Sequence, residues 1–260
     1  MSGAAASLRP SSTALPLAGR RAVVTGAGGG IGLACARALA ERGADLLLVG
    51  RESVHRGADE LRAEGHRVST VACDLSDLAA TSAVGAELAA GEPIDILVNN
   101  AGIIHREPAV DHAPDAWGRV LDVDLNAVWL LTQAVGRGMV DRRYGRIVTI
   151  ASLLSFQGGI NVVSYAASKH AVVGMTKALA NEWGAAGVTV NAIAPGYVRT
   201  DNTTALREDA SREREIRGRI PAGRWADAAD IAGPTAFLCG PDAAYVNGHV
   251  LVVDGGWLAR

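Results

Sequence analysis

Tyr165 and Lys169 stand four residues apart in "SYAASKH" (164–170), with only small residues between them. On a helix this spacing sets an ammonium beside a phenol on one face. The pair suits proton transfer at a hydroxyl. A free tyrosine, with a pKa of about 10, is a poor base near neutrality, and an adjacent ammonium stabilises its phenolate. Oxidising an alcohol with a nicotinamide needs a base for the hydroxyl proton as hydride leaves, and the reverse reduction needs the same group as an acid. A second chemical feature precedes it. "TGAGGGIG" (25–32) joins a strand-like run to the helix-like "LACARALAERG". Such a glycine-rich turn lets backbone approach a pyrophosphate closely, and the helix start directs free amides at it. Its spacing, Gly26-x-x-x-Gly30-x-Gly32, differs from the general G-x-G-x-x-G fingerprint.

These residues need a frame, and the hydrophobic pattern supplies one. Aliphatic or β-branched runs recur at 21–25, 45–49, 67–72, 95–99, 146–151, 188–194 and 250–254. Each is continuous rather than alternating, as in strands buried on both faces. Ala- and Leu-rich stretches of helical period lie between them at 30–43, 76–90 and 115–138. The alternation predicts an α/β fold: a single doubly wound Rossmann-type domain, with a mostly parallel seven-stranded sheet, helices on both faces and ligands at the carboxyl ends of the strands. Residues 196–225 break the rhythm with a polar, charged excursion held between Pro195 and Pro221, expected to fold over the crevice as a lid.

Composition narrows the partners. The 260 residues are 49 % apolar, enough for a sizeable core, and a net charge of -2 supplies no field for nucleic acid or an anionic membrane. Residues 1–18, rich in Ala, Ser and Pro, read as a flexible extension ahead of a domain over 19–260, and no stretch has the length of a membrane span. Cys35, Cys73 and Cys239 are widely spaced in apolar stretches, which fits buried thiols in a reducing cytoplasm. The six histidines show no paired ligand spacing, so no metal is assigned; His105 is a candidate pocket residue, and His170 faces away from Lys169.

Five motifs in order, "TGAGGGIG", "NNAG" (99–102), Ser152, "YAASK" and Pro195-Gly196, resemble the short-chain dehydrogenase/reductase family from about residue 19 to the end. Within it, "ASLLSFQGGINVVSYAASK", "NAIAPGYVRTDNT", "RIPAGRW" and "YVNGHVLVVDGGWLAR" are most similar to the group acting on 2-deoxygluconate or 2-keto-3-deoxygluconate. The resemblance implies that Tyr165 is the acid/base, that Lys169 also holds the nicotinamide ribose and that Ser152 holds the substrate oxygen. It implies cofactor contacts from Gly26, Gly30, Ile31, Gly32, Asp74, Leu75, Asn99, Ala101, Gly102, Pro195, Gly196, Val198 and Thr200. It further implies a homo-oligomer, a tetramer, with the last strand and "DGGWLAR" at a subunit contact. The family's fourth catalytic residue, an asparagine, is Asp124 here. Its family role is to hold a relay water through a helix distortion and its main-chain carbonyl, a role open to aspartate, and Asn126 is a bystander.

Cofactor choice is read where the second strand ends. Gly50 and Arg51 place no carboxylate there to repel a 2′-phosphate, which favours NADP and keeps NAD open, Glu52 being the residue that argues for NAD. Arg106, Arg199 and Arg224 flank the expected crevice, and Arg106 is the first choice to clamp a sugar-acid carboxylate. Gln157, Asn161 and Asn202 are candidates to read its hydroxyls. The same motifs permit a 3-oxoacyl carrier-protein reductase. A non-catalytic nucleotide-binding regulator is the competing class, and the intact Ser152, Tyr165 and Lys169 argue against it.

Overall fold

Every residue of "ILVN", "GRIVTI" and "VTVNAIAP" is buried, the outcome expected of aliphatic runs with no polar alternation. The computed structural model describes residues 15–260. In chain order the elements are β1 (Arg21–Thr25), α1 (Gly30–Ala40), β2 (Asp45–Gly50), α2 (Ser53–Ala63), β3 (Val68–Ala72), α3 (Leu78–Ala90), β4 (Ile96–Asn99), α4 (Pro114–Leu121), α5 (Ala127–Arg142), β5 (Gly145–Ile150), α6 (Val163–Trp183), β6 (Val188–Pro195), α7 (Thr204–Glu208), α8 (Ala210–Arg219), α9 (Ala228–Cys239) and β7 (Val250–Val253).

The strands form one sheet in the order β3-β2-β1-β4-β5-β6-β7, parallel at every pairing. Winding reverses between β1 and β4, and a crevice opens beyond their carboxyl ends. On one face α1, α2 and α9 press Leu39, Val54, Leu61, Ile231 and Leu238 against Val24, Leu48 and Ile96. On the other, Leu88 of α3, Leu131 and Met139 of α5 and Leu179 of α6 cover Val23, Leu47, Leu97 and Ile147. Each such side chain contributes about 1.5–3 kcal/mol on burial. The edge strands β3 and β7 are only partly buried, which the continuous runs at 67–72 and 250–254 did not reveal.

Three details depart from the sequence reading. Leu17, inside the presumed extension, is fully buried in the core, and its N–H donates to the Arg42 carbonyl at 2.8 Å. Residues 1–14 of that extension lie outside the described residues. The helix expected over 115–138 is α4 and α5 joined by a π-helical turn, Asp122–Asn126. Trp257 of "DGGWLAR", expected at a subunit contact, is instead buried within the chain, its ring 4.7 Å from that of Tyr197, which also meets Trp225 edge-on. That aromatic cluster, with Ile216 and Ile220, anchors the excursion at 196–225 to the domain. The three cysteines are free and buried, and no helix among the described residues is long and apolar enough to cross a membrane.

Candidate active site

The glycine turn works because its residues have no room for side chains or leave space for a ligand. Gly26 has φ +66°, and a Cβ there would fall 2.8 Å from the Ala101 Cα. Asn100 ties this turn to β4: its amide Nδ2 donates to the Thr25 carbonyl at 2.9 Å and its N–H to Thr25 Oγ1 at 3.0 Å. Gly29 precedes α1 with no side-chain cap and no acid in the first turn, and a Cβ on Gly29 would meet nothing within 4 Å. The free amides and positive end of α1 therefore open onto a crevice of about 510 Å³.

Most of the expected cofactor residues line this crevice. Gly26, Gly30, Ile31 and Gly32 line it together with Arg51, Asp74 and Leu75. Ala101, Gly102, Pro195, Gly196, Val198 and Thr200 line it too, alongside Ser152, Tyr165, Lys169 and Asn202, and a Cβ on Gly30 would lie 3.4 Å from Thr200 Cγ2. Asn99 is a correction. Its side chain turns into the core, where Nδ2 donates to Thr132 Oγ1 at 2.9 Å, and the neighbouring Asn100 lines the crevice instead. Ser53, Arg56 and Arg119 also line it and were missed. Arg56 Nη2 donates to the Gly28 carbonyl at 3.3 Å. A second arginine five residues beyond Arg51 was the available signal. Glu52 is exposed, 3.5 Å from His55, and is not on the crevice wall. An open glycine wall, an uncapped helix start and two arginines fit a dinucleotide carrying a 2′-phosphate.

Tyr165 and Lys169, the candidate acid/base pair, line the same crevice. Lys169 lies 5.4 Å from the centre of the Tyr165 ring, and its Nζ donates to the Ile150 carbonyl at 3.0 Å. Asp124, fully buried in the π-helical turn, brings Oδ2 within 3.4 Å of Lys169 Nζ and accepts the Ile103 N–H on Oδ1 at 2.8 Å. Burial pushes the Asp124 carboxyl above its usual range, against the pull of Lys169 and the Ile103 amide. Burial opposes the Lys169 ammonium, yet Asp124 and Tyr165 outweigh it and hold Lys169 above its ordinary value. Gly102 packs directly against the pair: a Cβ there would lie 3.3 Å from Asp124 Oδ2 and 3.4 Å from Lys169 Nζ, and of the two only Lys169 lines the crevice. Asn126 is exposed and bonds only within its turn, to Asp122 at 2.8 Å, as expected of a bystander.

Ser152 is fixed by its own loop. Its Oγ accepts the Leu154 N–H at 3.1 Å, its N–H donates to Ser155 Oγ at 3.3 Å, and Ser155 Oγ donates to the Lys169 carbonyl at 2.6 Å. Ser155, missed in the sequence, thus ties Ser152 to α6. The remaining substrate candidates divide. Arg106 is exposed and donates to the Asn202 carbonyl at 3.1 Å, beside the crevice. Gln157 and Asn161 lie off the crevice wall, and Asn161 carries φ +60° with its carbonyl accepting the Glu107 N–H at 2.9 Å. Arg199 is exposed away from the wall, and Arg224 is committed to Asp230 through two contacts of 2.7 and 2.9 Å, so neither clamps a substrate here. His105 is drawn to Glu107, at 3.0 Å, rather than to the crevice.

Known proteins resemble this chain in sequence and in fold. A family model described as enoyl-(acyl carrier protein) reductase matches residues 26–258. The chain is 52 % identical over 248 residues to the 2-dehydro-3-deoxy-D-gluconate 5-dehydrogenase of Bacillus subtilis, covering 95 % of this chain and 98 % of the relative. A crystal structure from Beutenbergia cavernae, provisionally named an NAD(P)-dependent gluconate 5-dehydrogenase and holding NADP at low occupancy, is 55 % identical with TM-score 0.93, covering 95 % of this chain and all of the other (100 %). A Burkholderia cenocepacia gluconate 5-dehydrogenase solved with NADP and tartrate has TM-score 0.90 at 38 % identity, covering 95 % of this chain and 98 % of the other. With the ordered motifs placed around one crevice and relatives matching nearly end to end, the chain belongs to the short-chain dehydrogenase/reductase family.

Proposed function

We propose that the protein is an NADP-dependent dehydrogenase interconverting a secondary alcohol and a ketone on a sugar acid of the gluconate, 2-deoxygluconate or 2-keto-3-deoxygluconate type. The observation that carries the reading is the shared crevice: Ser152, Tyr165 and Lys169 line the same cavity as the glycine turn and Arg51. The nicotinamide, when bound, supplies or accepts the hydride. Tyr165 Oη takes the alcohol proton during oxidation and returns it during reduction, Lys169 stabilises the phenolate, and Ser152 Oγ holds the substrate oxygen. Arg51 and Arg56 are suited to the 2′-phosphate, and Arg106, bonded to Asn202 at the crevice edge, to the substrate carboxylate.

The relatives named for gluconate and 2-dehydro-3-deoxygluconate support the substrate class, and the neighbour solved with tartrate supports a carboxylate site. Buried free thiols support a cytoplasmic setting. Homo-oligomeric assembly, with a tetramer as the reading from family likeness, is supported by the exposed Trp117 and Trp129 of α4 and α5, by Phe237 of α9 and by Tyr245 before the edge strand β7. The test is a crossed screen of sugar acids and matched neutral polyols against NADP and NAD, repeated with Arg106→Ala. The reading expects a preference for the acids that Arg106→Ala removes by raising KM. Equal rates on acids and polyols would sink it.

A further inference from the structure

The loop between β4 and α4 folds back so that His105, Glu107 and His112 meet beside the start of α6. Among the described residues these form the one group of three such side chains able to hold a metal, each offering one ligand atom within 4.8 Å of the others. Glu107 Oε2 is 3.0 Å from His105 Nε2 and 3.7 Å from His112 Nδ1. Ligand atoms about 2.0–2.1 Å from a tetrahedral metal stand about 3.3 Å apart, so these two distances bracket the requirement. His105, 41 % exposed on its side chain, has the freedom to close the third.

His112 is the informative member. Its side chain is 4 % exposed, Nε2 lies 2.9 Å from Ser164 Oγ, and Nδ1 is buried with no hydrogen-bond partner. If Nε2–H donates to Ser164, the Nδ1 lone pair faces the Glu107 carboxylate with nothing between them. If Ser164 donates instead, Nδ1–H points at Glu107 from 3.7 Å, too far for a hydrogen bond. A cation resolves the first arrangement. Two imidazoles and a carboxylate are a zinc-class donor set, and an oxygen holding the other ring nitrogen is the usual support of a ligating histidine.

We propose that His105, Glu107 and His112 bind one transition-metal ion of the zinc class, with a further position open to water, and that the ion fastens this loop to the start of the helix bearing Tyr165 and Lys169. The link is short: His112 contacts Ser164, the residue before Tyr165, and the Glu107 N–H donates to the Asn161 carbonyl at 2.9 Å. The proposal stands on this geometry and not on the substrate assignment.

The experiment titrates tag-free, chelator-stripped protein with Zn²⁺ by calorimetry and with Co²⁺ by visible absorption. The expected result is one Zn²⁺ per chain and the intense Co²⁺ bands of a low-coordinate site. Both His105→Gln and Glu107→Gln should weaken Zn²⁺ at least about 100-fold, beyond the loss of about 10–100-fold typical of a supporting residue. Zn²⁺ should raise the thermal midpoint of the wild type more than that of His105→Gln, an exposed substitution that leaves the fold intact by its midpoint in chelator. Absence of stoichiometric uptake by the wild type overturns the site. Equal Zn²⁺ affinity in the wild type and both variants overturns it too.

Discussion

Asp124 Oδ2 lies 3.4 Å from Lys169 Nζ, and the two side chains are almost wholly buried, at 0 % and 5 % exposure. The Lys169 ammonium, proposed to stabilise the Tyr165 phenolate, therefore shares its charge with a carboxylate, at a position where the family resemblance implies a neutral asparagine. In low dielectric the two charges interact strongly, and Asp124 holds the Lys169 ammonium in place against burial.

Asp124→Asn should accordingly shift the pH dependence of oxidation rather than abolish it. Removing the carboxylate takes away the charge that holds the buried Lys169 ammonium above its ordinary value, so the ammonium becomes easier to deprotonate. The alkaline limit of the kcat profile, where the Lys169 ammonium is lost, should move to lower pH by about one unit, the low end for losing an opposite charge at this range. A shift to higher pH, or a collapse of kcat across the range, would show that the carboxylate itself carries the proton.

Tyr165→Phe should lower kcat by at least about 10²-fold, the minimum typical of a lost acid/base, while NADP affinity measured by fluorescence stays within a few-fold. On the proposed reading the glycine turn and Lys169 hold the cofactor, and the substitution leaves both in place. Lys169→Ala should damage both quantities, because it removes the phenolate's partner and a cofactor contact together. Substantial turnover by Tyr165→Phe would refute the assignment.

Arg51 and Arg56 line the crevice beside Gly50, the last residue of β2, with Asp74 from the end of β3 on the same wall. Arg51→Asp should lower the NADP-to-NAD ratio of kcat/KM at least tenfold, equivalent to about 1.4 kcal/mol. Arg56→Ala should raise KM for NADP and leave NAD unchanged. A wild type that already prefers NAD strongly would remove the phosphate role from both.

The sheet was legible because its central strands are buried on both faces, and the glycine turn and Tyr165/Lys169 spacing were legible because their chemistry is local. What needed the fold was orientation. Asn99 and Asn100 are adjacent, and strand alternation turns one to Thr132 and the other to the crevice, a choice the "NNAG" motif does not state. The π-helical turn that buries Asp124 lies inside a stretch of unbroken helical period. His105, Glu107 and His112 are drawn together by a loop path, and Arg224 by a turn that delivers it to the start of α9.

That last pairing supplies a stability prediction. Asp230 accepts both Arg224 N–H groups and, at 2.8 Å, the Asp227 N–H that opens α9, and these bonds pull its carboxyl down to about 2. A folded-state pKa depressed below the unfolded value of about 3.9 contributes stability above that value and loses it as pH falls toward about 2. The side chain is 34 % exposed, so solvent screening limits the contribution to about 1 kcal/mol. Asp230→Asn should thus lower the thermal midpoint at neutral pH by about 2–4 °C. In urea titrations the gap from wild type should shrink to about half by roughly pH 3, midway between the two pKa values. A gap that stays constant over this range would mean that the Arg224 pair adds nothing to the anchoring of the excursion.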